Sequence, residues 1–241
     1  IAAGAVTLMS TAAFAADMAI APPPAYAPPP VVEDFGGWYL RGDIGFSNQR
    51  VSRLNNALDA AAISSRQNLS FGTAGIFGLG AGYRFNNWFR ADVTGEYRGN
   101  SQFFGTDYLT YPGPVFGVDT YHATKSEWVV LGNAYVDLGN FGGVTPYVGA
   151  GIGGTRVKWN DLVDTTNGGV LSGDADWRFT YALMAGASVD LTHNLKLDAG
   201  YRFRHINGGK MFNGNYGVGD GYDKGMNIHD VRVGLRYMFG G

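Results

Sequence analysis

The chain has 241 residues, a formal net charge of −2 and only 16% charged residues, which excludes the basic field of a nucleic-acid binder. Its 38 glycines and 14% aromatics suit many strands joined by tight turns better than packed helices. The absence of cysteine excludes disulfides, thiolate metal sites and cysteine nucleophiles.

The first segment, IAAGAVTLMSTAAFAAD, is an apolar small-residue run closing on Ala13-Phe14-Ala15. It reads as a signal peptide over 1–15, clipped at its start because it opens on Ile and lacks a basic n-region. Two Pro triplets then mark 16–35 as a semi-rigid Pro-rich tether, and the folded domain is expected over 36–241. No stretch reaches the roughly 18 apolar residues of a membrane helix.

Eight segments with a period of two follow. The first, Trp38 to Ser47, sets Trp38, Leu40, Ile44 and Phe46 against Tyr39, Arg41, Asp43 and Ser47. The second, Gly75 to Phe85, sets Phe77, Leu79, Ala81, Tyr83 and Phe85 against Gly78, Gly80, Gly82 and Arg84. The third begins at Phe89, with Phe89, Ala91, Val93, Gly95 and Tyr97 opposite Arg90, Asp92, Thr94, Glu96 and Arg98. The fourth, Lys125 to Leu138, turns Trp128, Val130, Ala134, Val136 and Leu138 away from Glu127, Asn133, Tyr135 and Asp137, with Val129 and Leu131 blurring the pattern. The fifth, Val144 to Thr155, opposes Pro146, Val148, Ala150 and Ile152 to Tyr147, Gly149, Gly151 and Gly153. The sixth, Trp177 to Asp190, opposes Tyr181, Leu183, Ala185, Ala187 and Val189 to Thr180, Met184, Gly186, Ser188 and Asp190. The seventh, Asn194 to Arg204, opposes Leu195, Leu197, Ala199, Tyr201 and Phe203 to Lys196, Asp198, Gly200, Arg202 and Arg204. The last, Ile228 to Phe239, opposes Val231, Val233, Leu235, Tyr237 and Phe239 to Asp230, Arg232, Gly234 and Arg236.

The connections alternate in length. NNW, GNFGG and LTHN are tight turns, whereas 48–74, 99–124, 156–176 and 205–227 are long, polar and expected to be loops. This is an all-β, eight-stranded antiparallel up-and-down meander, closed as a barrel. The interior of eight strands is just wide enough for side chains to fill, so the bulky apolar face belongs outside and the Arg-and-Gly face inside, as in a transmembrane β-barrel. Lipid is then met by Trp38, Phe46, Phe77, Tyr83, Phe85, Phe89, Tyr97, Trp128, Tyr201, Phe203, Tyr237 and Phe239. The inward set balances Arg41, Arg84, Arg90, Arg98, Lys196, Arg202, Arg232 and Arg236 against Asp43, Asp92, Glu96, Asp137, Asp190, Asp198 and Asp230. Eight cations against seven carboxylates point to a paired, largely plugged interior rather than an ion-selecting ring of one sign.

The signal peptide, the tether and the stretches GWYLRGDIGFS, FGLGAGYRFNNWFRADVTGEYRG, TPYVGAGIGG, LKLDAGYRF and HDVRVGLRYMF together resemble the small outer-membrane β-barrel family of alphaproteobacteria. That family includes porin-family surface proteins of rhizobia and brucellae and is similar in architecture to the OmpA membrane domain. The resemblance implies a Gram-negative outer membrane location, with long loops outside and both termini periplasmic. It implies outer-membrane lipid as a partner, and the assembly machinery acting through the C-terminal strand, where Gly240 and Gly241 follow the terminal aromatic Phe239. The expected role is structural, in envelope integrity and surface presentation, with no enzyme activity, cofactor or metal. The alternatives are a small porin-like channel, or haem or host-surface binding through loops that carry Tyr108, Tyr111, Tyr121, Met211 and Tyr216, with His122 and His205 as candidate haem ligands.

Other chemistry is weaker. GAGIGG, Gly149 to Gly154, matches a dinucleotide fingerprint but no helix pattern follows it. Asp92 and Glu96 share a face as an acid–base pair would, yet Arg90 and Arg98 flank them. His122, His193, His205 and His229 have no metal or triad spacing. GVGDGYDKGMN, Gly217 to Asn227, has the Asp and Asn of a calcium loop and reads as a surface loop.

Overall fold

The computed structural model describes residues 36–51, 54–55, 64–113, 115–166, 168–214 and 219–239. The expected signal peptide and tether over 1–35, Tyr216 and the terminal Gly240-Gly241 lie outside the described residues. Eight long strands build the fold: β1 (Gly37–Val51), β4 (Ala74–Arg84), β5 (Phe89–Tyr111), β6 (Val115–Asp137), β7 (Val144–Trp159), β10 (Ala175–Asp190), β11 (Leu195–Asn213) and β12 (Gly221–Met238). Four shorter ones, β2 (Leu54–Asn55), β3 (Ser64–Phe71), β8 (Leu162–Asp164) and β9 (Val170–Gly173), lie in the long connections. Each long strand pairs antiparallel with the next in chain order, and β12 returns to pair with β1, so the sheet closes into a ring of eight.

The ring is staggered. A row of paired residues leaves β1 at Leu40, passes Ala81, Val93, Gly132, Ile152, Tyr181, His205 and Asn227, and re-enters β1 at Arg50, ten residues on (50 − 40). Eight strands with that stagger lean by roughly 40° from the barrel axis. The lean explains why each strand devotes about ten residues to a belt roughly 25 Å tall.

The predicted polarity of the faces is the observed one. Trp38, Ile44, Phe46, Phe77, Leu79, Val93, Trp128, Ile152, Leu183, Val231 and Phe239 are exposed on the outer wall, while Arg41, Asp92, Glu96, Arg98, Arg202, Asp230 and Arg236 are buried inside. All twelve aromatics expected on the outer face stand there, exposed or half-buried. Val93 lies midway between the outward aromatics Phe89 and Tyr97, at the middle of the belt. Val93→Arg is accordingly expected to destabilise the barrel by about 2–4 kcal/mol in lipid, measured by urea-dependent folding into vesicles. A change below about 0.5 kcal/mol would place this wall in water.

The tight turns carry their own chemistry. Asn86 Oδ1 accepts hydrogen bonds from the N–H groups of Trp88 and Phe89, at 3.0 and 2.7 Å, an Asx-turn that closes NNW. In GNFGG, Gly142 and Gly143 have φ of 63° and 90°, which only glycine adopts without strain, and Asn140 Oδ1 accepts from Gly143 N. Thr192 Oγ1 closes the third turn by accepting from Leu195 N at 3.0 Å.

The inward glycines receive tyrosines. A Cβ at Gly82 would overlap the Tyr39 ring, one at Gly105 the Tyr121 ring, one at Gly149 the Tyr135 ring, and one at Gly186 or Gly200 the Tyr147 hydroxyl. The Gly-rich strands thus leave room for large tyrosine side chains arriving from other strands.

The long connections correct the expected loops. Residues 99–124 are a continuation of β5 and β6 into one hairpin reaching Tyr111 and Val115, and β7, β11 and β12 likewise run past their predicted ends at Thr155, Arg204 and Ile228. On β5 the reason is a change of parity. Arg98 and Ser101 are both inward, with the ladder shifted by one residue between them, so Gly99 and Asn100 form a β-bulge. On β12 the inward and outward positions also exchange, between Gly225, whose φ is 111°, and Met226, while the β11–β12 ladder shifts only between Lys210 and Phe212.

Candidate functional site

The lumen is where this sequence concentrates its charge, and its inward side chains form three zones along the axis. At the short-turn end the lumen opens into a cavity of about 400 Å³, lined by Arg84, Asn87, Asp137, Ser188, Asp190, Lys196 and Arg236 among others. Lys196 pairs with Asp190 at its rim, and Arg84 donates to the Asn86 carbonyl rather than to an acid. The cavity ends on Arg90, paired with Asp137 at 3.1 Å and packed over the Tyr135 and Tyr147 rings, and on Arg236, paired with Asp198 at 3.1 Å.

Above it, an unbroken chain of ion pairs crosses the lumen. Arg41 joins Asp92 (3.1 Å) to Asp43 (2.7 Å), and Arg232 joins Asp43 (3.1 Å) to Glu96 (3.0 Å). Arg202 joins Glu96 (2.6 Å) to Asp230 (2.8 Å), and Arg98 joins Asp230 (2.5 Å) to Glu127 (3.5 Å). Glu127 ends the chain on Arg204 and Lys125, each at 2.8 Å. These residues come from β1, β5, β6, β11 and β12, so the bonds span the bore instead of following one wall. Arg202 is the most fully bonded, with two hydrogen bonds to Glu96 and two to Asp230. Arg232 Nη2 sits within ion-pair distance of both its acids but off the hydrogen-bonding direction, so charge rather than directed bonding holds it. A cavity of about 20 Å³ beside Arg41, Asp43, Arg202 and Arg232 has room for about one water.

The third zone is apolar. Phe103, Trp159, Phe212, Ile206, Met211, Met226 and Ile228 form a buried core at the far end, with Leu69 and Phe71 packed against it. Lys125 marks the boundary: its ammonium holds Glu127 on one side and lies 4.8 Å from the Phe71 ring centre and 5.5 Å from that of Trp159 on the other. A smaller apolar patch of Val129, Leu131, Tyr135, Tyr147, Ala182 and Met184 lines one wall lower down. Val129 and Leu131, which blurred the fourth pattern, therefore point inward.

All the inward charges expected from the sequence face the lumen or its short-turn rim. Strand parity also placed Glu127 and Arg204 inward although the charge balance omitted them, and both proved central to the network. Lys125, Arg178 and Asp223 were missed because they lie at or beyond the predicted strand ends; Arg178 pairs with Asp223 at 2.5 Å beside the apolar core. Asp92 accepts from Tyr39, Arg41 and Asn133, and Glu96 from Arg202, which leaves neither poised as a free acid or base.

The haem pairing is corrected by the ring. His122 on β6 and His205 on β11 point outward from strands three places apart around a convex wall, so they cannot ligate one iron. His122 lies beside Phe104, and His205 stacks on Tyr181 and bonds Asn227. Among the described residues no three His, Asp or Glu side chains converge as metal ligands.

A family model described as an outer membrane protein beta-barrel domain matches residues 1–239. A Brucella abortus protein is 37% identical, with 98% of this chain and 95% of its own length aligned. The outer membrane protein PagN of Salmonella typhimurium is 29% identical over 84% of this chain and 90% of its own, and a putative adhesin of Rickettsia bellii is 29% identical over 83% and 87%. Among solved structures, Neisserial surface protein A shares the fold at 19% identity and a TM-score of 0.50, covering 84% of this chain and 97% of that one.

Proposed function

The chain belongs to the outer membrane protein beta-barrel family, and from that membership we propose that it is a sealed surface barrel. In this role it occupies the outer membrane, passes no solute through its lumen, and acts through the β-structure that it holds outside the bilayer. The observation that carries this is the filled bore: ion pairs run from Asp92 to Lys125 without a gap, and the apolar core follows directly. Moving an ion through would mean breaking charge-assisted bonds that leave room for about one water beside them and that end on an apolar core.

The short-turn end faces the periplasm and the extended hairpins face outward. The last strand offers Tyr237 and Phe239 on its outer face to the assembly machinery, and lipid packs the belt. The work of the protein is then structural in the envelope and adhesive at the surface, without catalysis. The Rickettsia relative named a putative adhesin supports surface contact over transport. Purified protein in planar bilayers is expected to give no steady porin-sized conductance. A sustained open state of that size would overturn the sealed lumen and leave a channel as the better account.

A further inference from the structure

One row of the outer wall departs from the apolar belt. On β7 the outward residues run Val144, Pro146, Val148, Ala150, Ile152 and Gly154, and then turn abruptly to Arg156 and Lys158, both exposed. The ladder sets Arg156 between two tryptophans: it pairs with Trp128 on β6 and with Trp177 on β10, and Trp128 pairs in turn with Tyr97 on β5. The row Tyr97, Trp128, Arg156, Trp177 is therefore the far-end aromatic girdle with a cation set into it. Trp177 leans over Gly154, where a Cβ would stand 3.2 Å from its ring, so the indole lies against the outer wall next to the strand position of Arg156.

Neither Arg156 nor Lys158 forms an ion pair or side-chain hydrogen bond among the described residues. Asp161 and Asp174, at the same end of the barrel, are engaged elsewhere, accepting from Gly173 N and Ala175 N. Beyond the belt the exposed charges are unequal: Arg50, Arg66, Arg156, Lys158 and Lys224 against Asp161 among the described residues. The molecule spends its carboxylates inside and turns cations to the membrane surface.

We propose that Arg156 and Lys158 bind the phosphate of an outer-leaflet glycolipid headgroup, with Trp128 and Trp177 packing against the lipid on either side. This rests on the far end facing outward. An arginine forks onto phosphate oxygens, a lysine two residues on supplies a second point charge on the same face, and interfacial indoles hold both at headgroup depth. A sealed barrel gains from this a fixed depth and a fixed lipid neighbour, which conductance does not report.

The test titrates the full chain, folded in neutral maltoside micelles, with bisphosphorylated lipid A and with the same lipid after removal of its phosphates, following tryptophan fluorescence. Saturable binding of the phosphorylated lipid is expected, at least about tenfold tighter than of the dephosphorylated one. R156Q/K158Q is expected to lose about tenfold while keeping heat-modifiable migration on a detergent gel, and R156K/K158R to stay within about twofold of the parent. Equal affinity for both lipids, or unchanged affinity in R156Q/K158Q, would overturn the site. Competition by millimolar inorganic phosphate would convert it to a free-anion site and also refute the lipid assignment. If R156Q/K158Q does not fold, the comparison of the two lipids on the parent protein decides.

Discussion

Arg202→Ala is expected to lower the stability of the folded barrel by about 3–5 kcal/mol, the usual loss when one partner of a buried ion pair is removed. Arg202 is about 1% exposed and holds Glu96 and Asp230 at once. Its removal leaves Glu96 with Arg232 and Asp230 with Arg98, two buried carboxylates with one cation fewer between them. Urea-dependent folding into lipid vesicles would measure the change, and R202A/E96Q should cost less than the sum of the two single changes. A loss under 1 kcal/mol would mean that bulk water reaches these groups and that the bore is open.

Trp159→Ala tests the other half of the proposed seal. Trp159 is buried against Phe71, Phe103 and Phe212, with ring centres 5.5–6.1 Å apart, and alanine there opens a cavity worth about 3–5 kcal/mol. The loss should be local, because Trp159 lies beyond the belt. Limited proteolysis in vesicles is expected to trim the far ends of β5, β6 and β11 while a fragment set protected by lipid persists. Protease resistance equal to that of the parent would mean that the far end is held by its ladders alone.

Strand number, strand order and the sense of the two faces were legible in the sequence because lipid imposes contrast on every second residue. Phe89, Val93 and Tyr97 must suit lipid, Arg90, Asp92 and Glu96 must not, and a two-residue period reports this directly. Beyond the belt the contrast fades. Inward Phe103 and Leu109 alternate with outward Phe104 and Tyr108, so both faces are apolar and the alternation vanishes although the strand does not. The bulge at Gly99 and Asn100 then exchanges the parities at the very place where composition turns to Gly, Asn, Ser and Thr, which imitates a loop. The ion-pair partners were not legible either. Which arginine meets which acid depends on the ten-residue stagger, a property of the closed ring and not of any one strand.

The β5–β6 hairpin is continuous from the belt to its tip, with one bulge and no break in its ladder. Antiparallel hydrogen bonds lie across the strands, so a pull on the tip along the barrel wall loads many rungs together in shear instead of peeling them one at a time. Tension applied at the tip is thereby carried into the closed ring, where β4 and β7 grip the same two strands on their outer edges. A contact made at the tip is mechanically anchored in the ring.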